Sequence, residues 1–197
     1  MTRGSPGNKD ASRADLIDES VFSSMLSEAN QGHGLGFEGL YRWLAPQITR
    51  FAAARDAEDP EGITNEVFLR AFRQLERFSG DSNAFRSWIF AIARNQLIDA
   101  HRASTRRPQV SSSEIPERAA AGAEVEALDI LGSQRVARLL ARLSDDQRDV
   151  ILLRMIGDLS LRQVAAIVDK PLTAVKALQR RGLRRLHDEI LAEVVVP

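Results

Sequence analysis

Six basic residues, Lys170, Lys176, Arg180, Arg181, Arg184 and Arg185, fall within the stretch KPLTAVKALQRRGLRRL, which holds no acidic residue, in a chain of formal net charge zero. Cations at this density can hold a polyanion, lie on a membrane surface or hydrate a helix face. Little else in the chain offers reactive chemistry. There is no cysteine, so disulfides, thiol nucleophiles and thiolate metal sites are excluded. His33, His101 and His187 stand singly, without the spacing of a metal motif. No carboxylate pair, nucleophile–base set or glycine-rich phosphate loop stands out, so neither enzymatic activity nor a cofactor or metal is expected. Charge is unevenly spread: net −2 over 1–34, +2 over 35–107, −4 over 108–133 and +4 over 134–197. A protein with its positive charge gathered on one face need not be basic overall.

The elements that must position these residues are helical. Phe37, Leu40, Tyr41, Leu44, Ile48 and Phe51 recur every three or four residues, with Pro46 expected to kink or restart their helix. Ile63, Val67, Phe68, Ala71, Phe72 and Leu75 mark a second stripe. A third helix spans about Ala84 to Ala103, with Phe85, Trp88, Ile89 and Ile92 apolar on more than one side. Ile17, Val21 and Met25 predict a weaker helix ahead of these. Residues 1–14 read as a disordered tail, and 105–133, rich in proline, serine and acid, as a flexible acidic linker. The fold expected is all-α, with two small helical domains, 15–104 and 134–197, joined by that linker.

Punctuation is clear in the second domain. Leu139, Leu140 and Leu143 close one helix, and Ser144 with Gln147 has the form of a capping box. Val150, Ile151, Leu153 and Met155 fill the next, which Gly157 is expected to end in a left-handed turn. Ser160 with Gln163 repeats the capping form before Val164, Ile167 and Val168. After the short Asp169-Lys170 connection, Pro171 suits the first turn of a further helix, giving a helix-turn-helix. At 100° per residue, Val175, Leu178, Gly182 and Leu186 share one side of that helix, and Thr173, Lys176, Ala177, Arg180 and Arg184 the other. A docked apolar face opposite small and basic residues suits entry into a DNA major groove. A solvated face is the bland alternative. A membrane-surface helix fits worse, because the apolar side is needed to cover the preceding helices and carries no bulky aromatic.

Two segments together, FEGLYRWLAPQITRF…EDPEGITNEVFLRAFRQLERFSG…AFRSWIFAIARNQLIDAHR and LLARLSDDQRDVILLRMIGDLSLRQVAAIVDKPLTAVKALQRRGLRRL, closely resemble the two domains of bacterial extracytoplasmic-function sigma factors of the sigma-70 family. The resemblance covers roughly 18–104 and 134–188, in the family's order. It implies a dissociable subunit that binds core RNA polymerase, recognises two promoter elements and melts the nearer one.

On that resemblance, the C-terminal domain meets the base edges and phosphates of the minus-thirty-five element with Thr173, Lys176, Ala177, Arg180 and Arg184, with Arg181 and Arg185 flanking on the backbone. Arginine can grip guanine bidentately, whereas lysine supplies a point charge to phosphate. The N-terminal domain handles the minus-ten element. Trp88, Asn95 and Arg102 sit seven apart on one helix face, and can stack on a base, read an edge and hold a phosphate. Core packing is the competing reading of Trp88. The loop Ser79, Gly80, Asp81, Ser82, Asn83 matches the family's loop that captures a flipped-out base, with Phe85 after it either supporting the pocket or simply core. The stretch DPEGITNEVFLRAFRQL matches the helix that grips the clamp of the polymerase largest subunit, with Asn65, Glu66, Arg70 and Arg73 as contacts. A solvated face would look identical.

This chain departs from the family pattern at Gly62, where an acidic residue is common, and at Asp169 and Pro171, which replace a glycine and a serine or threonine cap. The implied partners are core polymerase, through clamp and flap, promoter DNA and an anti-sigma factor. No apolar run or signal is present, so a cytoplasmic protein without membrane insertion is expected. The alternatives are a helix-turn-helix regulator, which leaves the aromatic helix without a task, and a sigma-like decoy that binds only an anti-sigma protein.

Overall fold

A computed structural model describes residues 17–106 and 135–195, with side chains over 17–103 and 135–193. The tail, most of the linker and the apolar stretch near Val125 to Leu131 lie outside the described residues. Everything regular among those residues is helical, as expected. The first domain contains α1 (Glu19–Asn30), α2 (Gly34–Ala53), α3 (Pro60–Phe72), a single 3-10 turn (Leu75–Arg77) and α4 (Ser82–Arg106). The second contains α5 (described over 135–141), α6 (Asp145–Met155), α7 (Leu161–Val168) and α8 (Leu172–Val195). No described helix is long and apolar enough to cross a membrane.

In the first domain α1 packs on α2, α2 on α3, and α3 on α4. Leu40, Leu44, Ile48, Phe51, Val67, Phe85, Ile89 and Phe90 are wholly removed from solvent. Burying a side chain of this kind stabilises the fold by about 1.5–3 kcal/mol before conformational entropy is counted. In the second domain α6, α7 and α8 pack on one another around Val150, Ile151, Leu153, Leu159, Val164 and Val175. Arg135 to Glu193 (2.8 Å) and Arg142 to Glu189 (3.8 Å) tie α5 and its following turn to α8.

Several local expectations shift. Proline does not break α2, which runs through the exposed Pro46 as one helix. In α1 Phe22 and Ala29 are buried and Ile17 and Met25 pack against the core as expected, whereas Val21 is 49 % exposed, its place in the core being taken by Phe22. Met155 is 72 % exposed at the end of α6, outside the core it was grouped with. The left-handed residue after that helix is Asp158 (φ 48°), with Gly157 closely packed before it. Both capping boxes form: Ser144 with Gln147 and Ser160 with Gln163 exchange side-chain and backbone bonds. Pro171 lies one residue before α8, where its carbonyl accepts from the Val175 amide at 3.1 Å.

Candidate nucleic-acid interface

The turn between α7 and α8 depends on a left-handed residue. Asp169 takes φ 52°, ψ 51°, a conformation that asparagine and aspartate tolerate better than most side chains. This is how aspartate stands where the family pattern has glycine. Lys170 is engaged locally, 3.1 Å from Asp146 at the start of α6, so one of the six cations holds the turn in place.

Helix α8 is two-sided as its spacing predicts. Val175 is fully buried, Leu178 and Leu186 are half-buried, and Gly182 sits against α6. A Cβ at Gly182 would come within 2.6 Å of Ile151 Cδ1 and 3.3 Å of Gln147 Cβ, so any larger residue here would have to push the Ile151 side chain aside. On the other side Thr173, Lys176, Arg180, Arg181, Arg184 and Arg185 are exposed, and Ala177 is half-exposed. The result is a rigid rod with a basic, accessible flank.

Helix α4 presents a different surface. Its capping residue Asp81 accepts from the Ala84 amide at 2.8 Å, and the Glu19 carboxylate accepts from the Ser82 amide at 3.1 and 3.2 Å. Ser79, Asp81 and Asn83 are exposed around this start. Trp88 is half-buried and stacks on Phe78, centroids 5.2 Å apart and planes inclined by 22°. Phe85 lies beneath at 0 % exposure, edge-on to Phe78 (5.2 Å) and Trp88 (5.8 Å) and stacked on Trp43 (6.1 Å). Phe85 is therefore core. Its burial removes it from direct contact with any ligand and makes it the floor on which Phe78 and Trp88 rest. Asn95 and Arg102 are exposed further along α4, one and two heptads from Trp88. Spacing could not foresee the contribution of Phe78 and Trp43, because it comes from packing between elements.

The four expected clamp contacts, Asn65, Glu66 and Arg70 of α3 and Arg73 just after it, are all exposed. Asn65 Oδ1 accepts from the Tyr41 hydroxyl at 2.9 Å, which fixes its orientation. Leu69, 49 % exposed between them, is an apolar member of this face that the charge pattern hid. The start of α3 explains Gly62. Asp59 caps the helix by accepting from the Gly62 amide at 2.8 Å with Pro60 in the first turn, and a Cβ at 62 would meet the capping carboxylate at 2.1 Å.

One cluster went unnoticed in the sequence. Asp149 of α6, 2 % exposed, lies 2.7 Å from Arg94 Nε of α4 and 3.1 Å from Arg55 Nε after α2. Beside it, Arg148 Nη1 donates to Asp56 Oδ2 at 2.6 Å and Arg148 Nε to the Leu140 carbonyl at 3.0 Å. Arg55 also reaches Asp145 at 3.3 Å. These ion pairs join the two domains. Charge alone could not single them out, since each residue looks like surface.

Comparison with known proteins agrees with this architecture. The model of Sigma-70 region 2 matches residues 38–107, and that of Sigma-70, region 4 matches residues 133–186. The ECF RNA polymerase sigma factor SigD of Mycobacterium tuberculosis is 30 % identical over 86 % of this chain and 84 % of its own. SigC of the same species is 32 % identical over 91 % and 95 %. Among solved structures, CnrH in complex with the cytosolic domain of CnrY shares the fold, with a TM-score of 0.65 and 22 % identity over 86 % of this chain and 96 % of that one. With both regions matched in order and such relatives along most of its length, the chain belongs to the extracytoplasmic-function sigma factors of the sigma-70 family, transcription initiation factors and not enzymes.

Proposed function

We propose that this chain binds core RNA polymerase, directs it to promoters with separate minus-ten and minus-thirty-five elements, and is held in check by an anti-sigma factor. The observation that carries the reading is the two-sidedness of α8: Val175 and Gly182 buried, with Thr173, Lys176, Arg180, Arg181 and Arg184 exposed opposite them. In this reading α8 enters the major groove at the minus-thirty-five element. Arg180 and Arg184 meet base edges or phosphates, Lys176 supplies charge, Thr173 and Ala177 allow close approach, and Arg181 lies along the backbone.

At the minus-ten element Trp88, stiffened by Phe78 below it, offers a face on which an unpaired base stacks. Ser79, Asp81 and Asn83 line the place where a flipped base is held. Asp81 has one carboxylate oxygen committed to the cap of α4, so the other is available to accept from an exocyclic amine. Asn95 reads an edge and Arg102 holds backbone. The exposed side of α3, Asn65, Glu66, Arg70 and Arg73 with Leu69 between them, grips the polymerase clamp, and the second domain meets the flap. Support for the polymerase partner is the family itself, whose relatives include RNA polymerase sigma factors.

The test is run-off transcription on fragmented genomic DNA with active core enzyme. Discrete transcripts that require this protein are the expected result. Absence of any such transcript, with a control sigma factor active on the same core, rejects the reading.

A further inference from the structure

Two helices begin beside the loop assigned to base capture, and one carboxylate lies between them. Glu19 is the first residue of α1, and its Oε1 and Oε2 accept from the Ser82 amide, the first of α4, at 3.1 and 3.2 Å. Each helix also has a cap of its own: Asp18 accepts from the Ser20 amide at 2.8 Å, and Asp81 from the Ala84 amide at 2.8 Å. The positive ends of two helix dipoles brought this close repel one another unless negative charge stands between them, and Glu19 serves both at once. It lies outside the Sigma-70 region 2 match, which begins at residue 38.

The register of the two helices holds this contact in place. One turn on from Glu19, Phe22 is 1 % exposed and packs on Phe85, centroids 5.5 Å apart, and Phe85 stands one turn on from Ser82. Positions i and i+3 of α1 thus meet positions i and i+3 of α4, with a polar contact at the rim and an apolar one beneath it. Ser82 is 7 % exposed, so its amide has little water to turn to, and a buried donor left without an acceptor is unfavourable. At the other end of the loop, Phe78 rests on Phe85 and Trp88, with centroids 5.2 Å from each. Gly80 spans the gap at φ 152°, where a Cβ would come within 2.8 Å of Ala84 Cβ. The loop is pinned at both ends, on one side by rings and on the other by Glu19 and Asp81.

We propose that Glu19 is a positioning residue for base capture: from α1 it holds the first turn of α4, and through that turn it sets where Asp81 and Asn83 stand when an unpaired base arrives. Trp88 is supported by Phe78 and Phe85, so stacking on its ring does not depend on Glu19. The positioning role rests on the assignment of loop 79–83 to the minus-ten element, whereas the cap itself does not.

Amide hydrogen exchange in the free full-length chain tests the cap. Glu19→Ala is expected to speed exchange of the Ser82 amide about fivefold, the effect of losing a capping bond of ordinary strength. Glu19→Gln, whose amide oxygen still accepts, is expected to restore most of the protection. Exchange that Glu19→Ala leaves unchanged overturns the cap. The positioning role is tested in holoenzyme, on single strands that carry the minus-ten element of a promoter found by run-off transcription, with each base in turn replaced by an abasic site. The base held by the loop is the one whose abasic penalty Asn83→Ala lowers most. Glu19→Ala is expected to lower that penalty about fivefold, Glu19→Gln to retain it, and the penalties at other positions to stay as they are. A role in stability alone weakens every strand alike, so uniform loss, or a penalty that Glu19→Ala leaves intact, overturns the positioning role. If no position responds to Asn83→Ala, the loop assignment falls and the role of Glu19 with it, while the run-off assay decides the promoter reading beforehand.

Discussion

Helices α4 and α8 both offer polar faces, yet they are built in opposite ways. In α8 the exposed residues are mostly long and charged, with small Thr173 and Ala177 among them, hung on a seam where Gly182 lets the rod approach Ile151. In α4 the exposed end rests on layered aromatics, with Phe85 under Phe78 and Trp88, and Trp43 and Phe22 behind. The difference teaches what each surface can do. Point charges on flexible stems suit a duplex whose phosphates lie at regular spacing, and act at long range. A ring held by rings suits an unpaired base, which must be met by a flat surface already in place.

The comparison breaks most severely at Phe85. Phe85→Ala removes the floor of the α4 surface and is expected to cost about 3–5 kcal/mol of first-domain stability, read by denaturant unfolding. A cost under about 1 kcal/mol would mean that the aromatic layers do not support one another. A change in α8 should behave differently. Arg180→Ala with Arg184→Ala is expected to leave stability within about 0.5 kcal/mol, because both side chains are exposed, and to lower the salt slope of minus-thirty-five binding by about two. Titration of a distal-element duplex against salt checks this, and an unchanged slope would remove these two arginines from the phosphates.

How much of this was legible in the sequence follows the same division. The two sides of α8 were readable because a single helix determines them: Val175 and Gly182 face inward by their spacing alone. The capping boxes were readable for the same reason, each being complete within four residues. In α1 Ile17 and Met25 pack as their spacing predicts, but Val21 and Phe22 are adjacent apolar residues and only contact with Trp43 and Phe85 selects Phe22 for the core. Pro46 does not restart the helix, because α2 is anchored on either side of the proline by its own buried Leu44 and Ile48. The interdomain cluster was illegible in principle. Arg55, Arg94 and Asp149 are far apart in the chain, and nothing in local composition marks a buried carboxylate off from an exposed one. The departures at Gly62 and Asp169 became intelligible only with backbone geometry, one as room for a cap and the other as a left-handed turn.

The division of labour between α4 and α8 is the central claim, and permanganate mapping of unpaired thymines in the polymerase–promoter complex tests it most directly. With the unmodified protein, thymines at the minus-ten element should become reactive. Trp88→Ala should abolish that reactivity while leaving nuclease protection of the minus-thirty-five element in place. Reactivity that survives Trp88→Ala, or distal protection lost together with it, would contradict the account.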